Sequence, residues 1–423
     1  MRRAAAGVTL IELMVALLIG TVLVLGLVEV FSASRTAYQL STGLARVQEN
    51  GRFAMDFLQR DLRMAGHLGC VNDQARFLPG NVTPSRPGLA STFLTNAQQT
   101  AANYAAAPAA LRFDAGIQGY DAKVGGSGGQ TGSGSEVTLA TSPVLGSATS
   151  WAPAIPEPLW TQLNSGTGKP VANSDIVFLR FFAPTGAQIK TFAPGATATL
   201  TFNKDQAVRL TEGVTDPRLF GIADCMNAAV FQANTYSVSG SDGMLTVTDG
   251  TGMNKSGLLG MQNFTVGQAM LYRAESVVYY VGVNAQGNPS LYRLRYTLTG
   301  TGTDPAPLKE ELVEGVENLQ LEYGLDSRLG KTERPTGNIG ESAIASLVEA
   351  KTDPTTVWQR VGMIQVGVLA RSPDRAAAPK RDEAQAGVVA LSPLGIKINA
   401  PDDGRYRTVY EDSVALRNRL FGN

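Results

Sequence analysis

Histidine is almost missing from this sequence: His67 is the single example among 423 residues. A metal centre of ordinary zinc type draws on several His or Cys ligands, so no histidine-built metal site is expected. Imidazole acid–base chemistry is confined to one position. Net charge is missing too, because 36 Lys and Arg balance 36 Asp and Glu. Such a chain carries no overall field toward nucleic acid or an anionic membrane surface, and no nucleic-acid partner is expected. Cysteine is limited to Cys70 and Cys225, and tryptophan to Trp151, Trp160 and Trp358. Glycine is abundant at 46 residues, and Ser, Thr, Ala and Asn are also frequent. That composition suits a loop-rich β protein better than a helix-rich enzyme. The length allows roughly two to three domain-sized units and a sizeable core.

The N-terminus breaks this pattern. Met1 to Gly7 is a short leader made positive by Arg2 and Arg3, and an apolar run follows from Val8 to Phe31, interrupted by Glu29. As helix that run spans about 36 Å, enough to cross a hydrocarbon core of about 30 Å. The two arginines place the short end in the cytoplasm and the bulk of the chain outside it. An ordinary secretory signal has a shorter apolar core followed by small residues. This run starts too early for that, and it carries Glu12. A carboxylate at that depth is costly and normally has a partner and a role.

Gly7 followed by Val8-Thr-Leu-Ile-Glu12-Leu-Met-Val15 resembles the class III leader of type IV prepilins and type II secretion pseudopilins. The resemblance implies cleavage by a dedicated peptidase between Gly7 and Val8, with methylation of the new Val8 amine. Family members often have Phe where this chain has Val8. Glu12 is then the acid at the fifth mature position, one helical turn from the amine. In an apolar bundle two such charges are tolerable only when paired. Pairing the amine of one subunit with Glu12 of the next would set the axial register of a filament. Beyond the membrane both cysteines lie where disulfides persist, which predicts a Cys70–Cys225 bridge; the alternative is two buried free thiols.

The helix is expected to continue to about Ala65 and to stop at Gly66. Leu40, Leu44, Val47, Gly51, Ala54, Leu58 and Leu62 form a stripe of period 3.6 that needs a globular domain to cover it. Gly20, Gly26 and Gly43 are its weak points for a bend or local melting. Residues 67–170 read as a loop-rich variable insertion with a few short strands, including the Gly/Ser run Gly125 to Ser135. From 171 to 423 strand signals dominate. Asp175 to Phe182 is one. Thr235 to Val238 and Met244 to Thr248 flank the turn-former Asp242-Gly243. Ser276 to Val283 and Leu291 to Leu298 flank Asn284 to Pro289. In the last of these Tyr292, Leu294, Tyr296 and Leu298 share one face, with Arg293, Arg295 and Thr297 on the other, the alternation of a half-buried strand. Val316 to Tyr323, Trp358 to Ala370 and Tyr406 to Leu416 are further strands, with a short helix near Ala343 to Ala350.

The fold class is therefore α+β and pilin-like: a long N-terminal helix on a mostly antiparallel sheet, with large loop insertions. Scattered segments also resemble the large minor pilins of the PilW family. They are His67-Leu-Gly-Cys70, Asp224-Cys225, Leu312-Val-Glu-Gly-Val-Glu-Asn-Leu-Gln320 and Val414-Ala-Leu-Arg-Asn-Arg419.

Chemical alternatives are weak. Gly125-Gly-Ser-Gly-Gly129 has the letters of a hydrolase elbow without its strand and helix. Gly166-Thr-Gly-Lys169 lacks the Ser/Thr of a phosphate loop, since Pro170 follows. Asp402-Asp403 reads as a solvated turn rather than a calcium site. His67 reads as a cap on the helix C-terminus. The tryptophans read as packing; a surface-binding platform requires Trp151 and Trp160 exposed together. No enzyme activity, cofactor or metal is expected. The resemblance implies a minor pilin that primes pilus assembly at or near the tip. Its partners are other minor pilins and the major pilin through the helix, prepilin peptidase, and the inner membrane before assembly. Its globular domain is periplasmic, then extracellular in the pilus. The alternatives are a type II secretion pseudopilin and a tip adhesin binding through the 71–170 loops.

Overall fold

The computed structural model describes residues 7–71, 89–101, 103–124, 129, 132–211, 213–225, 227–256, 264–296, 298, 305, 307–330, 333, 335–376, 378 and 390–416. The leader residues before Gly7, most of the 125–131 glycine run and the closing Arg417-Asn-Arg419 fall outside them.

Helix α1 runs from Leu10 to Met64 without interruption, passing through Gly20, Gly26 and Gly43. At about 1.5 Å per residue it is about 82 Å long. Apolar residues of its first half, from Leu10 to Phe31, are exposed. Its second half buries Gly43, Val47, Gly51, Ala54, Met55, Leu58, Asp61 and Leu62 along one stripe. Gly43 and Gly51 are sites of close approach rather than flexible points. A Cβ at Gly43 would overlap the side chain of Ala376, and one at Gly51 would overlap the ring of Tyr410.

The stripe lies on two sheets. In one, β16 (Ile339–Ala343), β15 (Val316–Asp326), β17 (Val361–Arg371) and β19 (Arg407–Ala415) are antiparallel neighbours in that order. The larger sheet is ordered β1 (Leu89–Ser91), β9 (Ala228–Gln232), β8 (Leu219–Ala223), β12 (Met270–Val283), β6 (Ile176–Ala193), β7 (Thr197–Asn203), β11 (Asp242–Thr248) and β10 (Thr235–Ser239). β13 (Pro289–Tyr296) adds to β12, and β14 (Pro307–Glu314) to β13. β2 (Ile117–Ala122) pairs with β6 and with β4 (Trp151–Ala152), while β5 (Lys169–Pro170) pairs with β12. β3 (Glu136–Thr138) and β18 (Lys397–Asn399) make a small parallel pair; β1 and β9 are parallel as well. The fold is α+β and mostly antiparallel.

Both faces of the central β6–β12–β13 strands are covered. One face meets α1 and the smaller sheet through Leu58, Leu62, Val177, Leu179, Val277, Tyr279 and Leu319. The other is covered by residues from the 89–163 stretch, with Phe93, Phe113, Tyr120, Trp151, Leu159 and Leu163 against Phe178, Phe182, Tyr280 and Tyr296. Fully buried Arg180 ties this layer down, donating to the carbonyls of Ala109 and Ala115 and lying 3.9 Å over the Phe178 ring. A third cluster, built on Ile189, Leu200, Phe202, Phe220, Phe231 and Leu245, packs the far end of β6 with β7, β11 and β10 against β8 and β9.

Several local readings are corrected. The strand expected over Asp175 to Phe182 extends to Ala193. The β10–β11 turn is Gly240-Ser241, with Gly240 at φ 61 where a II′ turn needs glycine. Asp242 and Gly243 lie inside β11; a Cβ at Gly243 would collide with the Phe202 ring, which is why glycine stands there. β13 starts at Pro289 and ends at Tyr296, and Leu298 leaves it in a left-handed conformation (φ 47). Arg293 and Arg295 do not face solvent, because α1 and buried Glu275 cover their side of the strand. Trp358 closes a short helix over Pro354–Trp358, ahead of β17. The helix expected near Ala343 to Ala350 spans Ala345–Glu349.

The glycine contacts generate a paired prediction. Gly51→Ala forces the Tyr410 ring aside and should lower stability by about 1–3 kcal/mol. Gly26→Ala, with nothing within 4 Å, should leave it unchanged or raise it by about 0.5–1 kcal/mol. Thermal unfolding of the detergent-solubilised chain distinguishes the two.

Candidate assembly interface

At the start of α1, Thr9 is the N-cap. Its hydroxyl accepts from the Glu12 N–H at 3.3 Å. The Glu12 carboxylate in return accepts from the Thr9 N–H and O–H, both at 2.9 Å. This reciprocal box satisfies orphan donors at the helix start and places an anion at the positive end of the helix dipole. Gly7 and Val8 lie just outside the helix and are exposed, with free space around Gly7. The helix is long and apolar enough to cross a membrane, and its most apolar window is uncovered.

At the other end, polar contacts fasten the helix to the sheets. Asp61 is the acid inside the buried stripe, and its carboxylate accepts from the Tyr279 hydroxyl at 2.6 Å. Arg293 lies 3.5 Å from the same oxygen and 2.8 Å from Glu310. Burial pushes the Asp61 carboxyl above its usual range, outweighing the opposing hydrogen bond from Tyr279 and the Arg293 charge. Gln59 reaches Asp412 on β19 at 2.5 Å, and Asn50 donates to the Glu314 carbonyl at 2.9 Å. Stripe periodicity alone did not single out Asp61; the signal was an acid three residues beyond Leu58, where an apolar residue was due.

Past Met64 the chain turns at Gly66 (φ 72) and lies against β6. The Gly66 N–H donates to the Arg180 carbonyl, and the Phe182 N–H donates to the His67 carbonyl at 2.7 Å. His67 therefore does not cap the helix. Its Nδ1 sits 2.9 Å from the Phe182 carbonyl oxygen, and burial pulls its pKa down, so the neutral ring donates there. Three residues later Cys70 is disulfide-bonded to Cys225, with Cα atoms 4.7 Å apart. Cys225 follows β8, so the bond fastens the helix exit to the strand beside β12.

The smaller sheet has its own buried ion cluster. Glu317 pairs with Arg371 at 3.0 Å and with Arg407 at 2.7 Å, and Arg407 pairs with Asp403 at 2.8 Å. Asp403 is thus a member of the cluster rather than a solvated turn residue, and the Arg407 hydrogen bonds help hold its carboxyl below the usual range despite burial. Lys169 lies in β5 against Val283, away from any phosphate-loop geometry. Trp151 is fully buried, its ring 5.9 Å from that of half-buried Trp160. The two do not form an exposed platform. Among the described residues, no group of three or more His, Cys, Asp or Glu is placed to hold a metal ion.

Comparison with known proteins matches this geometry at both ends of the chain. Residues 2–28 match the prokaryotic N-terminal methylation motif, and residues 278–418 match the type IV pilus-assembly protein W family, PilW. The second match spans β13, β14 and the whole smaller sheet, including Glu317, Arg371 and Arg407. No curated protein matches the chain. Among solved structures, a type IV-like pilin from Thermus thermophilus is 16% identical, with 56% of this chain and 86% of that chain covered at a TM-score of 0.20. The chain is similar to type IV pilus-assembly proteins.

Two outcomes follow. A carboxyl whose pKa is raised by folding contributes stability that is full below its unfolded value and is lost as pH rises through the folded one. Wild-type melting temperature should therefore fall relative to Asp61→Asn as pH rises from about 4 to about 8; parallel curves refute the assignment. Replacing Cys70 and Cys225 by Ser opens a loop with sequence separation 155. Stability measured by denaturant unfolding should drop by about 4–5 kcal/mol on the chain-entropy account.

Proposed function

We propose that this chain is a minor pilin that takes part in type IV pilus assembly, priming it from the inner membrane and remaining at or near the tip. The observation that carries the reading is the divided helix. One continuous α1 leaves an apolar half bare from Leu10 to Phe31 and buries the other half on the sheets. A bare apolar half is stable in a bilayer, and equally in a bundle of like helices. It suits a subunit that moves from one to the other.

In this reading prepilin peptidase cuts between Gly7 and Val8, whose exposure suits access, and the Val8 amine is methylated. The Glu12 carboxylate, held by Thr9 in the lone subunit, exchanges that partner for the amine of a neighbour on assembly. The exchange keeps the carboxylate hydrogen-bonded before assembly and pairs its charge afterwards, when the apolar bundle surrounds it. Other minor pilins and the major pilin pack against the helix. The globular domain faces the periplasm before assembly and the exterior afterwards. The chain carries no catalytic role. Bulk supports a place near the tip, because three packed clusters make a head broader than a tightly wound shaft accommodates.

The test is a deletion strain complemented with variants. Deletion should abolish surface pili and twitching and leave exoprotein secretion intact. Glu12→Ala should be made and membrane-inserted yet fail to restore pili. Blocked secretion with normal pili would instead identify a pseudopilin. Normal pili with lost surface attachment would identify an adhesin.

A further inference from the structure

The free edges of the described sheets differ in how they are guarded. Natural edge strands resist pairing with other chains through charge, proline or brevity. β14 begins at Pro307 and carries Lys309, Glu310, Glu311 and Glu314. β19 carries Arg407, Glu411 and Asp412, and β16 carries Glu341. β1 is three residues long and buried. β10 is different. Thr235-Tyr236-Ser237-Val238-Ser239 has no charge, proline or glycine, and among the described strands it pairs only with β11.

The segment is also complementary to itself. Set two copies antiparallel and centre them on Ser237. Thr235 then faces Ser239 of the second copy, Tyr236 faces Val238, and Ser237 faces Ser237. One side of the joint gains an aromatic–β-branched pair on each side of the two-fold axis. Tyr236 is already held flat for this, stacked on Phe220 and Phe202 at 5.7 and 6.1 Å, while Val238 is 38% exposed. The other side continues a hydroxyl-lined surface in which Thr235 meets Thr246 at 2.7 Å and Thr191 meets Thr201 at 2.6 Å. The strand itself brings no charge to either side.

The edge is also out of the helix's way. Going up α1, Asp61 meets Tyr279, which is opposite Val177 in β6, and Gly66 meets Arg180. β6 therefore runs in the sense of the helix, passes its end and continues to Ala193. The β7–β11–β10 lobe hangs on that continuation, distal to the membrane-spanning half.

We propose that β10 is a self-pairing edge through which two copies of this chain join antiparallel, strand to strand, about a two-fold axis at Ser237. Such a contact is isologous. Five residues per copy is far short of the roughly 20–30 residues a side of a standard interface, so association is weak and concentration-dependent.

The full chain in detergent provides the test. With Cys70 and Cys225 bonded, an introduced cysteine is the only free thiol. Under mild oxidation Ser237→Cys should give several-fold more disulfide-linked dimer than Thr235→Cys, whose thiols lie apart in this register. Thr235→Cys/Ser239→Cys should link as well as Ser237→Cys. Adding Val238→Lys should abolish the Ser237→Cys dimer without lowering the melting temperature. Equal linking by Ser237→Cys and Thr235→Cys overturns the proposal, as does linking that survives Val238→Lys. A chain that stays monomeric yet binds a synthetic peptide of uncharged strand sequence, such as Thr197–Asn203, overturns it in favour of a foreign strand as occupant.

Discussion

Asp61 fastens a helix that serves two incompatible environments. The first half of α1 carries an apolar surface that water rejects; the second half, from Gly43 to Leu62, is a structural rib of the globular domain, and Asp61 lies near its far end. The joint cannot be held by hydrophobic contact alone, because apolar packing is non-directional and would let the helix slide along the sheets. Tyr279 and Arg293 converge on one carboxylate and fix the helix in depth, while Gly43 and Gly51 fix it in rotation by admitting Ala376 and Tyr410. The desolvation of Asp61 is the expense of that positional definition, and it raises the carboxyl's pKa above its usual range.

The same logic recurs away from the helix. Glu275 is buried between Arg273 and Arg295, and Glu317 between Arg371 and Arg407. Each carboxylate bridges neighbouring strands or the segments that flank them. Such clusters add little stability over well-packed apolar residues, but removing one member leaves a buried charge, which is strongly destabilising. They define strand register in a sheet whose two faces are both buried and whose alternation is therefore ambiguous.

That ambiguity explains what was legible in the sequence. The long helix was legible to within two residues at each end, because Gly7, Thr9 and Glu12 mark its start and the Val47-to-Leu62 stripe marks its docked face. The cysteine pair followed from compartment. The β13 strand was legible, but its arginine face was assigned to solvent; nothing local reveals that α1 lies over it. The β10–β11 hairpin was found with its turn two residues late, since Asp242-Gly243 and Gly240-Ser241 both suit tight turns and only Phe202 decides between them. His67 and Asp403 were assigned by near neighbours, whereas their partners, Phe182 and Arg407 with its attached Glu317, are set by tertiary contacts. The 89–163 stretch lacked periodicity because it covers a sheet with scattered aromatic anchors rather than with regular elements.

The helix exit has a mechanical meaning. A load applied to the distal lobe travels down β6 and reaches α1 through the Gly66–Arg180 and His67–Phe182 backbone bonds. Cys70–Cys225 lies in parallel with them and fastens the exit to β8, which pairs with β12, the neighbour of β6. If the hydrogen bonds slip, the sulfur link carries the tension. The head is then secured to its stalk by a covalent fuse bypass, and traction can stretch this junction without parting it.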